Sequence, residues 1–258
     1  MKPVKVDLSK DIKELEVLIF ADEHIGDAHC DMAYLKKRIE YVESHPNAYC
    51  ILGGDLMDNA TKTSIGDIYT ATKSPMEQID EVTELFKPIK KKILCAVKGN
   101  HENRTYKKEG IDPMRCICDR LGCSDKYSET GLVLFLRFGK NVEESHKRRM
   151  TYTIYLTHGS GGGRKEGAKA IRLADLASIV DTDIYLHNHT HLPMIMKEDF
   201  FRISQSTSTV SAITKLFVNS SGNLKYGGYG ETLGCKPACI QKPKLILNGL
   251  HKDAKAIL

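Results

Sequence analysis

Leu15-Glu16-Val17-Leu18-Ile19-Phe20-Ala21-Asp22-Glu23-His24 decides the fold of this chain. The first seven residues form a short apolar run bounded by charges, which reads as a buried strand, and the run ends directly on an Asp-x-His pair. Downstream, Asp31 to Ser44 has helical spacing through Met32, Leu35, Ile39 and Val42 and stops before Pro46. Tyr49 to Leu52 is a second apolar strand, ending at Gly53-Gly54-Asp55. Pro75 to Lys92 reads as a helix with proline at its start and lysines in its last turn. Ile93 to Val97 comes next as a third strand ending at Gly99-Asn100-His101. Three strands therefore run into polar residues at their carboxyl ends, where α/β sheets place their ligand sites.

From Leu132 the segments lengthen. Leu132 to Phe138 and Met150 to Leu156 are strands joined by a charged turn, Lys140 to Arg149, and the second hands over to Thr157-His158-Gly159. Ala168 to Val180 reads as a helix. Asp183 to Leu186 is a short strand that delivers His187-Asn188-His189-Thr190-His191. Residues 194 to 258 read as short strands separated by glycine turns at Ser220-Ser221-Gly222-Asn223 and Tyr226 to Gly230. There is no internal repeat, low-complexity tract or linker, so residues 1–258 read as a single domain.

With 258 residues the chain can bury a sizeable core without disulfides. Met1 to Lys13 is charged and lacks the apolar stretch of an export signal, and no later run approaches the roughly 20 residues that span a bilayer. The expectation is a soluble, cytoplasmic protein without a membrane partner. Its eight cysteines then read as free thiols. Cys116, Cys118 and Cys123 together with Cys235 and Cys239 could supply four thiolates to zinc, but neither cluster has Cys-x-x-Cys spacing. A net charge of +5 permits an anionic substrate without identifying one, and the absence of tryptophan argues against a stacking platform for single-stranded nucleic acid.

The chemistry lies at the carboxyl ends of the strands. A lone Asp-x-His is a weak signal, and Gly-Asp is weaker. Gly-Asn-His-Glu after a third strand is uncommon, and His-x-His after a further strand presents two imidazoles from one edge. Together, Asp22, His24, Asp55, Asn100, His158, His189 and His191 suit a pair of dications about 3.5 to 4 Å apart, whose repulsion demands a bridging carboxylate. Asp55 is the natural bridge. Mixed oxygen and imidazole ligands favour Mn, with Fe or Zn as alternatives, whereas an all-oxygen shell would point to Mg or Ca.

The ordered series Asp22-x-His24, Gly54-Asp55, Gly99-Asn100-His101-Glu102, His158-Gly159 and His189-x-His191 resembles the calcineurin-like metallophosphoesterase superfamily over about residues 15 to 195. It is closest in feel to small phage and bacterial members, and its motif order is similar to that of the double-strand-break repair nucleases. The resemblance implies an α/β fold, a four-layer α/β/β/α sandwich of two mixed sheets, with 195–258 as C-terminal strands completing the second sheet. By matched position, Asp22, His24, Asp55 and His191 would hold one metal, and Asp55, Asn100, His158 and His189 the other. His101 would be the non-ligand histidine that contacts the phosphate and protonates the leaving group. The implied reaction is in-line attack by a water whose pKa the cations lower. The family usually has glycine before its His-x-His pair. Asn188, which tolerates a left-handed backbone, stands there instead, and His187 before it reads as structural.

Further candidates surround this set. Arg104 could contact a phosphate or pair with Glu102 or Glu109. Arg164 and Lys165, after Gly161-Gly162-Gly163, could grip substrate phosphates from a flexible rim. Asp58 could orient a ligand or cap a helix. The basic runs Lys90 to Lys92 and His146 to Arg149 read as solvated faces, with nucleic-acid contact the minority reading. The expected function is dinuclear metal-dependent hydrolysis of a phosphate ester, with a phosphodiester or nucleic-acid-related substrate such as DNA or RNA favoured. One alternative is a phosphomonoesterase acting on phosphoproteins or nucleotides; another is a non-catalytic metal-binding scaffold. A homo-oligomer or a partner subunit is compatible with either.

Overall fold

The computed structural model describes residues 1–62, 64, 68–143, 148–232 and 234–258. His146 and Lys147, half of the second basic run, lie outside the described residues. The opening stretch is strand β2 (Glu14–Phe20), preceded by β1 (Lys2–Asp7). Then come α1 (Met32–Ser44), β3 (Ala48–Leu52), α2 (Pro75–Phe86), β4 (Ile93–Val97), α3 (Asn100–Glu109), α4 (Pro113–Leu121) and β5 (Tyr127–Ser128). The second half holds β6 (Leu132–Phe138), β7 (Met150–Leu156), α5 (Glu166–Ala174), β8 (Ile184–His187), β9 (Met194–Ser204), β10 (Thr209–Asn219), α6 (Gly228–Thr232), β11 (Lys244–Asn248) and β12 (Ala254–Ile257).

Two mixed six-stranded sheets result, one in the order β1-β6-β7-β8-β10-β9 and the other β12-β11-β2-β3-β4-β5. They stack face to face. Val17, Ile19, Ile51, Leu94 and Val97 meet Leu134, Leu136, Tyr152, Ile154, Leu186 and Val218 in the central core. Because side chains alternate along a strand, Leu18 and Phe20 of the same β2 point outward, against Leu35, Ile39, Val82, Phe86, Met114 and Ile117 of α1, α2 and α4. On the opposite flank Val133, Tyr155, Tyr185 and Phe217 receive Leu173 of α5 and Leu176 beyond it. This is the expected four-layer sandwich, and it explains why β2, β3 and β4 read as continuous apolar runs: both faces of each are covered.

Several boundaries differ from the sequence reading. The helix expected over Pro75 to Lys92 is α-helical only to Phe86 and continues as a 3-10 turn over Lys87–Lys92, because Pro88 has no N–H to donate and its ring crowds the preceding turn. The strands of 195–258 do not all complete the second sheet. β9 and β10 extend the first sheet, where β10 runs parallel to β8, and only β11 and β12 join the second, through antiparallel pairing of β11 with β2. Among the described residues no helix is long and apolar enough to cross a membrane.

Candidate metal centre

The carboxyl ends of β2, β3, β4, β7 and β8 converge at one edge of the sandwich, and backbone hydrogen bonds lace their loops together. The Asp55 carbonyl accepts from Glu23 N (2.8 Å) and His24 N (3.1 Å), and the Gly54 carbonyl accepts from Asp22 N (3.0 Å). Gly54 can supply that bond because it adopts φ +86°; a Cβ there would also meet the Gly99 backbone.

Within this frame the described residues form three groups of side chains close enough to share a cation: Asp22, His24 and His191; Asp55, His158 and His189; and His24, Asp58 and His101. The first two bring together six of the seven residues expected as ligands. His24 Nε2 and His191 Nε2 stand 3.2 Å apart, and His191 Nε2 is 3.3 Å from Asp22 Oδ1. In the second group His158 Nε2 lies 3.1 Å from Asp55 Oδ2 and 3.0 Å from Oδ1 of Asn100, the seventh residue. His158 also joins the groups, with Nε2 4.0 Å from Asp22 Oδ1. Its Nδ1 donates to the Gly53 carbonyl at 2.8 Å, which turns Nε2 inward.

Asp22, His24, Asp55, His189 and His191 all have left-handed φ, at 53°, 50°, 51°, 69° and 53°. Such backbone is unfavourable for residues with a Cβ, and it clusters where chemistry demands it.

The surrounding charges perturb the titration of the group. Burial opposes ionisation of Asp22, yet His191 and His158 hold its pKa below the usual carboxylate range, and His158 and His101 do the same for Asp55. Burial would depress His158, but the adjacent Asp55 and Asp22 carboxylates outweigh it and raise its pKa to about 10. His189 moves the other way, down to about 4, through burial and the neighbouring His158. Burial, followed by His101 and His191, likewise pushes His24 down, and its Nδ1 is buried without a hydrogen-bond partner.

His101 sits beside the first two groups and belongs to the third. Its backbone N–H donates to Asp55 Oδ1 at 2.8 Å, and its Nδ1 donates to the Asp58 carbonyl at 2.5 Å, with Asp58 Oδ1 3.4 Å away. Burial opposes its charging, but Asp55 and Asp58 prevail and raise its pKa. Arg104 pairs with neither Glu102 nor Glu109. It donates through Nη1 to the Asp58 carbonyl (3.2 Å) and places Nη2 2.9 Å from His101 Nε2. Asp58 therefore holds both His101 and Arg104. Arg164 and Lys165 stand exposed in the loop between β7 and α5, outside the three groups.

Asn188 does not use the left-handed backbone that asparagine tolerates. Its side chain is buried and donates to the carbonyls of Thr157 (3.1 Å) and Gly53 (3.4 Å), tying β7 to β3. His187 turns away, its Nδ1 2.7 Å from Asn219 Oδ1, and lines a cavity of about 280 Å³ with Thr157, Arg172 and Leu176. All eight cysteines are free, and no group close enough to share a cation includes one among the described residues.

Two buried networks had no role in the sequence reading. Glu102 receives four backbone N–H groups: Asp55 (3.0 Å) and Gly99 (2.9 Å) on one oxygen, Leu56 (2.8 Å) and Met57 (3.3 Å) on the other. Its position three residues into a helix after Gly99 was the available signal, since a glutamate there folds back on the cap. Behind Asp22, Glu23 Oε1 lies 3.1 Å from Arg38 Nη1 and 3.3 Å from Lys242 Nζ, and Lys242 also donates to the carbonyls of Ala21 and Ser221. No local pattern joins positions 23, 38 and 242.

Comparison with curated protein sequences gives no significant match. Among solved structures, a predicted phosphoesterase from Streptococcus pneumoniae is 14% identical, with 95% of this chain and 98% of that one covered at a TM-score of 0.37. Wild-type Vps29 of Entamoeba histolytica complexed with Zn²⁺ is 13% identical, with coverage of 94% and 97% and a TM-score of 0.40. A metallophosphoesterase from Sphaerobacter thermophilus is 12% identical, covered 93% and 88%, also at 0.40. The calcineurin-like phosphoesterase family model matches residues 24–208, a span that contains His24, Asp55, Asn100, His158, His189 and His191. On that match, the chain belongs to the calcineurin-like phosphoesterase family.

Proposed function

We propose that this chain is a metal-dependent hydrolase of phosphate esters, using two divalent cations and favouring phosphodiester or nucleic-acid-related substrates. One observation carries the reading: two carboxylate-and-imidazole groups, Asp22/His24/His191 and Asp55/His158/His189, lie side by side and meet at His158. The donor set fits borderline dications. Each group offers one hard oxygen and two imidazole nitrogens, a mixture suited to Mn, Fe or Zn rather than to Ca. Asp22, His24 and His191 would hold one ion, Asn100, His158 and His189 the other, and Asp55 both. When bound, such ions supply positive charge to the non-bridging phosphate oxygens and make water acidic enough to attack near neutral pH.

The protein's own groups do the rest. Asp58 fixes His101 through Nδ1, leaving Nε2 to face the substrate, and the raised pKa keeps that imidazole protonatable near neutrality. His101 then donates its proton to the departing alkoxide. Arg104, released from His101 by an incoming phosphate, contacts the phosphate through its guanidinium, a fork matched to such oxygens. Arg164 and Lys165 supply cationic contacts at the rim.

The test is a manganese-supplemented panel of single-stranded DNA, duplex DNA, RNA, cyclic nucleotides, a phosphopeptide, and generic bis- and mono-esters. Asp55→Asn should lose both metal and turnover. His101→Ala should keep its metal and lose about 10²- to 10⁴-fold in rate, the range of a general acid. Full-speed His101→Ala protein would remove that residue from the mechanism, and a preference for the mono-ester would favour the phosphomonoesterase reading.

A further inference from the structure

β10 pairs with β8 only over Leu216–Asn219, whereas its pairing with β9 runs the whole length from Thr209↔Ser204 to Asn219↔Met194. The hairpin therefore overhangs the sheet by the stretch from Thr209 to Lys215, about 24 Å at roughly 3.4 Å per residue. A two-stranded ribbon with open faces is marginally stable in water on its own. Large apolar side chains also stand bare on it between the charged ones: Phe201, Ile203 and Val210 are 82%, 73% and 64% exposed. They share one face, because Ile203 lies opposite Val210 and Phe201 opposite Ala212. β9 is the last strand of its sheet, and among the described residues no backbone group of Met194–Ser204 bonds to any segment other than β10. A long edge strand that no other segment covers is a template for another strand whose side chains match it.

We propose that this edge pairs with β9 of a second copy of the chain, antiparallel about a two-fold axis, fusing two six-stranded sheets into one of twelve strands. The charges on β9 select the partner and the register. With the axis at Phe200, Glu198 faces the partner's Arg202 and Arg202 faces the partner's Glu198, so two ion pairs form with no like charges opposed. Moving the axis to residue 198 or 199 sets Glu198 or Asp199 against its own copy, and moving it to 201 separates Glu198 from Arg202. Arg202 is free to pair in this way although its Nη2 reaches Asp181 at 3.1 Å, since Asp181 also holds Lys215 at 2.6 Å. The same register sets Phe201 and the partner's Phe201 on neighbouring diagonal positions, covering the barest of the ribbon's large apolar residues.

Sedimentation equilibrium of the full chain, from about 1 to 100 µM near physiological salt, tests this. The expected mass is twice 28.9 kDa. Glu198→Arg places like charges across the axis and should weaken association at least tenfold. The double reversal Glu198→Arg with Arg202→Glu should restore it, a recovery that a merely misfolded variant would not show. A wild-type mass of 28.9 kDa at the highest concentration would overturn the proposal. A dimer indifferent to Glu198→Arg, or one that the double reversal fails to restore, would overturn it as well.

Discussion

Glu102 offers the sharpest perturbation, because its two oxygens each accept two backbone N–H groups from the loops that carry Asp55 and Asn100. Burial and the neighbouring Asp55 carboxylate raise its pKa, while the four donors leave no face for a proton and so hold it ionised. Glu102→Gln keeps the shape but turns one oxygen into an NH₂ group. Two buried backbone donors then face another donor, at about 1 to 3 kcal/mol each, or about 4 kcal/mol in total. For a chain of this size 1 kcal/mol shifts the melting temperature by about 2 to 4 °C, so the variant should melt about 8 to 16 °C lower. Because the lost bonds belong to the loop that positions Asp55, manganese affinity should fall too. Thermal unfolding by circular dichroism and a metal titration read both effects. Melting within about 2 °C of wild type with unchanged metal binding would mean that the carboxyl is protonated in the folded chain, and the four-donor account would be wrong.

At Gly99 a Cβ would collide with Asp55 N and Oδ1, so Gly99→Ala should weaken manganese binding at least tenfold and lower stability by about 1 to 3 kcal/mol; an unaffected metal titration would refute the close approach. With a pKa near 10, His158 is protonated at pH 7.5 and must lose that proton to become a ligand, so calorimetry in buffers of different ionisation enthalpy should show about one proton released, against none if the ring is already neutral. In chelator-treated protein the same raised pKa means that the stabilisation from the His158 pairing is fully present below about pH 6.5 and fades as pH rises towards 10; denaturant melts that strengthen across that window would contradict it. Exposed Cys239 should react first with an aromatic disulfide at pH 8, while Cys50 and Cys95, buried and with thiol pKa values pushed up by burial, should react only after unfolding.

The sequence disclosed those parts of the molecule whose physics is local. β4, β6 and β7 begin and end where the apolar runs do, because each starts and stops on a buried apolar residue. The candidate metal-binding residues at the strand ends stood out for the same reason. α3 was not, since Asn-His-Glu-Asn-Arg-Thr-Tyr-Lys-Lys-Glu has no apolar stripe; caps at Gly99 and Gly110 and the buried Glu102 hold it instead. β1 hides its alternation of Val4 and Val6 among charged residues, and only its parallel register with β6 shows it to be a strand. The long β9–β10 hairpin escaped because its outer half buries little, so its pattern matches no covered surface. Asp58 beside His101 and Lys242 beside Glu23 are meetings of distant segments, which no spacing along the chain encodes.

The left-handed backbone at Asp22, His24, Asp55, His189 and His191 implies an inverse relation between durability and chemistry. Each such residue sits about 1 kcal/mol or more above its relaxed conformation, and glycine would relieve that at every position. Selecting this chain for heat resistance alone would therefore erode the residues proposed to hold its cations first, and the hardiest descendants would lose the proposed chemistry.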